Sequence, residues 1–141
     1  MDQIIKNQPD WDDTINKNFS KFSNEVFSDN VIYLNGAKKN DAPGTQLFWR
    51  CSNLGEIKLY QIQGYLQLPT IADGQTIDVF NIPGITGDVR AAMIMLKDGF
   101  LNDKIYLDYS SNPGTFHIIN YSGQAQQSWL ARYGIWVICD N

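Results

Sequence analysis

Two kinds of hydrophobic spacing divide this chain. Between Pro9 and Val26 the apolar residues Trp11, Ile15, Phe19, Phe22 and Val26 recur at steps of four, four, three and four, which aligns them along one face of an α-helix. Pro9 and Asp10 supply start signals, and Asp12 and Asp13 complement the positive end of the helix dipole. The stripe is narrow and the remaining positions are polar, so such a helix is marginal alone and needs a packing partner. That partner is either the rest of the chain or further copies of the same helix.

Beyond this segment the period changes. Val31-Ile32-Tyr33-Leu34 reads as a strand, followed by a polar loop carrying Asn35-Gly36, Asn40-Asp41 and Pro43-Gly44. In the stretch from Tyr60 to Leu68, positions 60, 62, 66 and 68 are apolar while 61, 63 and 67 are Gln. That alternation predicts a strand with one dry face and one wet face.

Further strands are predicted at short intervals, each closed by turn residues: Thr76 to Ile82, Val89 to Leu96, Lys104 to Tyr109, Thr115 to Tyr121 and Ser128 to Cys139. Leu47 to Cys51 is another apolar, strand-like run. Ala91 to Leu96 reads as a buried strand, although an apolar run this short also suits a helix. The fold class expected is mainly β, an antiparallel β-sandwich or jelly-roll-like head with a short N-terminal α-helix. The organisation expected is a helical oligomerisation or anchor segment over 1–27, a linking strand and loop over 28–45, and the head over 46–141.

Composition narrows the functions open to such a fold. At 141 residues the chain suits one domain. Aromatic residues make up 13% and charged residues 18%, so much of the surface is polar through Asn, Gln, Ser and Thr. The net charge is -4, and Lys38-Lys39 is the sole adjacent basic pair, which argues against a nucleic-acid partner. No secretion signal follows Met1, and no apolar run approaches the ~20 residues that span a bilayer. Synthesis in the cytoplasm without membrane insertion is expected. Cys51 and Cys139 lie in apolar runs and lack metal-ligand spacing, so they read as two buried thiols.

Catalytic chemistry is poorly supplied. His117 is the one histidine, which excludes zinc sites built on several histidines, and alternation turns it outward between inward Phe116 and Ile118. Nucleophile-elbow, phosphate-loop and zinc-protease motifs do not occur. A glycosidase needs two facing carboxylates, for which Asp78 and Asp108 are the better candidates because most other Asp residues stand beside turn glycines. The expectation is therefore no catalytic residue, no metal and no cofactor.

Binding chemistry is richer. Asp108, Tyr109, His117, Trp129 and Arg132 place rings beside hydrogen-bonding groups on the last three strands, a mixture suited to a saccharide whose C–H faces stack while its hydroxyls are paired. Against this, strand aromatics often serve cross-strand packing. Alternation assigns Trp129, Tyr133 and Ile135 to one face of the last strand and Arg132, Gly134 and Trp136 to the other.

The segment Asp10-Trp11-Asp12-Asp13-Thr14-Ile15-Asn16-Lys17-Asn18-Phe19 resembles the Trp-containing, Asn-x-Asn-Phe helix near the start of many tail-tip and baseplate proteins of phages that infect Gram-positive bacteria. Leu54 to Leu59, Gly64 to Pro69 and Ile82-Pro83-Gly84 look like the β-rich head of the same group. The chain departs from that pattern after Pro83, where Gly84-Ile85-Thr86-Gly87-Asp88-Val89-Arg90 replaces a Gly-Tyr-Arg-Pro-like turn. The resemblance implies a virion protein of the tail tip or baseplate. It implies a homotrimer joined along Trp11, Ile15, Phe19 and Phe22, contacts with other tail proteins, and recognition of host cell-wall saccharide. The alternative is a structural connector or decoration protein without a receptor.

Overall fold

A computed structural model describes residues 26–98 and 104–141. The expected helix, with Trp11, Ile15, Phe19 and Phe22, lies outside the described residues. Val26, the last residue of its stripe, does not continue a helix: it opens a strand, opposite Cys51.

Among the described residues the chain forms β1 (Val26–Ser28), β2 (Ile32–Tyr33), β3 (Lys38–Lys39), β4 (Phe48–Asn53), β5 (Ile57–Leu68), β6 (Thr76–Asn81), β7 (Val89–Asp98), β8 (Ile105–Tyr109), β9 (Thr115–Asn120) and β10 (Trp129–Asp140). Every pairing between them is antiparallel. The larger sheet runs β1-β4-β5-β10-β7, with β3 also on β5, and the smaller runs β2-β6-β9-β8. Residues 28–45, expected as a link, contribute β2 to one sheet and β3 to the other. The run from Ala91 to Leu96 is strand, part of β7, but it is not the buried strand expected: Ala91, Ala92 and Met93 are exposed.

The dry faces of the two sheets meet in one core. Tyr60, Ile62, Leu66, Leu68, Ile135 and Val137 come from the larger sheet, and Val79, Phe80, Phe116 and Ile118 from the smaller. Phe80 and Phe116 are fully buried and stack with centroids 4.6 Å apart. Burial of each such ring stabilises the fold by about 1.5–3 kcal/mol before entropy is counted. The alternation in β5 and β10 is what places these residues inside and the Gln and Arg positions outside. Cys51 and Cys139 are buried free thiols, as their apolar runs predict.

Two polar side chains drawn into this core, Asn120 and Tyr60, find hydrogen-bond partners there. Asn120 is fully buried, and its amide donates to Ile71 O (2.9 Å) and Gln124 O (3.0 Å) while its Oδ1 accepts from Ser122 N (3.0 Å). The Tyr60 hydroxyl donates to Gly84 O at 2.6 Å. Each leaves no orphaned group in a region that excludes water.

Candidate functional site

The outer face of the larger sheet is built in rows. Cross-strand register sets Phe48 beside Gln63 and Gln63 beside Gly134; the next row runs Arg50, Gln61, Trp136; Tyr65 stands beside Arg132. Because side chains alternate, all of these project away from the core on the same side. Gly134 has no side chain, so the middle of the face is hollow, with the Trp136 ring 3.8 Å from where a Cβ would stand.

One wall comes from the loop before β4. Tyr65 N donates to Thr45 O at 2.7 Å, and Gln46 forms a parallel bridge with Tyr65. This approach requires Gly64: its φ is +131°, and a Cβ there would lie 2.2 Å from Gln46 O. Thr45 is itself fixed, its hydroxyl donating to Ala42 O and accepting from the Asn40 amide, each at 2.6 Å.

The result is a cleft of about 630 Å³ lined by Thr45, Phe48, Gln63, Tyr65, Arg132 and Trp136, with Gly44, Gly64, Tyr133 and Gly134 forming its floor and wall. A second hollow of about 190 Å³, lined by Phe48, Arg50, Gln61 and Gln63, adjoins the first at Phe48 and Gln63 on the same face. The Arg132 guanidinium lies 5.4 Å from the centre of the Tyr65 ring, a cation–π contact that orients both groups. Arg50 Nε donates to Gln61 Oε1. No Asp or Glu lines either hollow among the described residues. This face therefore offers flat rings for stacking and amide, guanidinium and hydroxyl groups for hydrogen bonding.

The five residues expected to form one saccharide site do not converge. Arg132 alone lies in the groove. Tyr109 turns toward the core, its ring edge-on to Phe116 at 5.2 Å and its hydroxyl accepting from Gly114 N at 2.6 Å. Trp129 packs half-buried against the core. Asp108 and His117 are cross-strand partners on the opposite side of the sandwich, where Asp78 flanks His117 on its other side. The reason is topological: β8 and β9 belong to the smaller sheet and β10 to the larger, so outward residues of these strands face opposite ways.

Asp78 and Asp108 are separated by the whole of β9, roughly 9–10 Å by strand spacing. Among the described residues no three His, Cys, Asp or Glu side chains group closely enough to hold a metal ion. Neither hollow includes Asp78, Asp108 or His117.

Phe48, Arg50, Gln61, Gln63, Tyr65 and Trp136 were not expected as site residues. The signal for them was present in the wet Gln face of β5 and in the parity that Arg132 shares with Trp136. The chain matches no family model, no characterised protein and no solved structure.

Proposed function

We propose that this protein is a saccharide-binding adhesion module of a phage tail tip or baseplate, with the groove across β4, β5 and β10 as its receptor site. The observation that carries the reading is the juxtaposition of Phe48, Tyr65 and Trp136 with Gln61, Gln63, Arg50 and Arg132 along one face. Rings that stack on sugar C–H faces beside planar amides and guanidinium groups that pair hydroxyls are the complement of a glycan chain. The order of strands is in keeping with a jelly-roll head: β10 lies between β5 and β7, and β9 between β6 and β8. The phage part of the proposal rests on the sequence resemblance, including the homotrimer seam at Trp11, Ile15, Phe19 and Phe22.

The test is binding of labelled protein to purified host cell walls and their released glycans. Wild type is expected to bind, and Trp136→Ala, which removes one stacking ring worth about 1–1.5 kcal/mol, to lose roughly tenfold in affinity. Unchanged binding by Trp136→Ala would remove the groove as the site. Absence of wall binding by the wild type would favour the connector.

A further inference from the structure

The turn from Leu34 to Ala37 is where the chain leaves the smaller sheet for the larger: β2, before it, pairs with β6, and β3, after it, pairs with β5. Ala37 N donates to Leu34 O at 2.9 Å, and φ is positive at both central residues, +48° at Asn35 and +87° at Gly36, which makes a type I′ turn. Asn35 is the one residue other than glycine with a positive φ among those described. Its short polar side chain suits that backbone.

The turn is pinned to both sheets. Asn35 Nδ2 donates to Asp78 O at 2.8 Å, and Leu34 N donates to Val79 O at 3.0 Å, which fasten it to β6. On the other side Gly36 lies against Pro69, whose Cβ is 3.4 Å from where a Cβ of Gly36 would stand, and Ala37 is buried.

The same pair of residues carries a reactivity found at no other asparagine of the chain. Asn35-Gly36 is the only Asn-Gly step in the sequence, and both residues are exposed, so water and base reach them. Gly36 has no Cβ to screen its nitrogen or to restrict the rotation that brings it to the neighbouring amide carbon. Gly36 N can lose its proton to base and attack Asn35 Cγ. The new N–C bond closes a five-membered imide, the C–N bond of the side-chain amide breaks, and that nitrogen takes up a proton and leaves as ammonia. Water then opens the ring at either carbonyl, giving an aspartyl or an isoaspartyl residue. One amide and one water become one carboxylate and one ammonium ion, with no oxidant or cofactor.

We propose that Asn35 is the site at which this chain modifies itself, and that the conversion unpins the turn joining the two sheets. The fold delays the reaction, because the departing nitrogen must first let go of Asp78 O. It does not prevent it, because β2 has only two residues and segments with so little pairing open locally at small cost. The product cannot restore the contact. An aspartyl carboxylate has no proton to donate and would set a negative charge against a carbonyl oxygen, itself an acceptor. An isoaspartyl residue adds a methylene to the main chain, so the bond from Ala37 N to Leu34 O no longer closes the turn.

The test holds the full chain in mildly alkaline buffer, folded or in urea, and samples it by isoelectric focusing and by peptide mapping with mass spectrometry. Folded wild type is expected to gain one negative charge, traced to the peptide holding Asn35 and resolved into two products of equal mass, and the unfolded chain to gain it sooner. Asn35→Gln, whose longer side chain must close a larger ring, is expected to keep its charge over the same period. The converted wild-type fraction, separated by charge, is expected to unfold at a lower urea concentration than the unconverted one, and Asn35→Asp to shift in the same direction. Conversion of the folded chain first at another asparagine, or none at Asn35 by the time the unfolded chain is fully converted, would overturn the site. Equal urea midpoints for the converted and unconverted fractions would overturn the unpinning.

Discussion

Gly64 is the position where one methyl group should do most damage. Its φ of +131° is a conformation that side-chain-bearing residues rarely adopt, and an added Cβ would stand 2.2 Å from Gln46 O, 2.8 Å from Gln46 C and 2.9 Å from Leu47 Cα. These are backbone atoms, which cannot swing aside. Leu47 is fully buried and Thr45 O is engaged by Tyr65 N, so relief requires breaking that bond or shifting the loop away from β5. The backbone conformation costs about 1–3 kcal/mol for a non-glycine residue, and overpacking costs about 1–3 kcal/mol more. Gly64→Ala is therefore expected to lose at least about 2 kcal/mol, or roughly 8 °C in Tm for a domain of this size.

The comparison is Gly123→Ala. Its φ is +84°, but nothing lies within 4 Å of the added methyl, so only the conformational cost of about 1 kcal/mol applies. Urea unfolding followed by tryptophan fluorescence measures both variants, with an unchanged m-value showing that the unfolded states are comparable. A Gly64→Ala loss no larger than that of Gly123→Ala would refute the close approach of the Gln46 segment. Because that segment walls the groove, Gly64→Ala should also weaken glycan binding, whereas Gly123→Ala should leave it intact.

Two further outcomes follow from the core. Phe80→Ala removes a fully buried ring stacked on Phe116 and should cost about 3–5 kcal/mol in the same urea assay, a large share of a typical ~5–15 kcal/mol total; a loss under about 1 kcal/mol would contradict the packing. Burial pushes the Tyr133 phenol well above the ordinary tyrosine range, and burial with the neighbouring Cys51 does the same for Tyr60. In the unfolded chain these phenols ionise near ~10, so the stability they support is complete below that pH and falls as pH rises above it, by about 1.4 kcal/mol per pH unit for each. Tyr133→Phe should make that alkaline decline shallower by one such increment, and an identical decline in the variant would show that Tyr133 ionises freely in the fold.

Much of the fold was legible because strand periodicity is local. The apolar positions 60, 62, 66 and 68 alternate with Gln61, Gln63 and Gln67 by backbone geometry alone, and β5 buries the first set and turns the second outward. The same holds for β10, where alternation separated Tyr133 and Ile135 from Arg132 and Trp136 before any partner strand was known. Asn112-Pro113-Gly114 marked the end of one strand and the start of another for an equally local reason, the turn conformations those residues favour.

The site was legible only in part, because alternation assigns a residue to a face of its own strand and says nothing about which sheet that strand joins. His117 and Arg132 are both outward, yet they stand on opposite sides of the molecule because β9 and β10 pair in different sheets. Tyr109 carries a hydrogen-bonding ring as a ligand residue would, but its parity and Phe116 direct it inward.

The sequence by itself determined the β class, the strands and the wet face of Gln and Arg, since each follows from dihedral geometry and the cost of burying polar groups. Tertiary structure decided which rings share a face and which glycine admits the wall beside them. Those outcomes arise from pairing between residues distant in the chain, as when Phe48, Gln63 and Gly134 meet in one row.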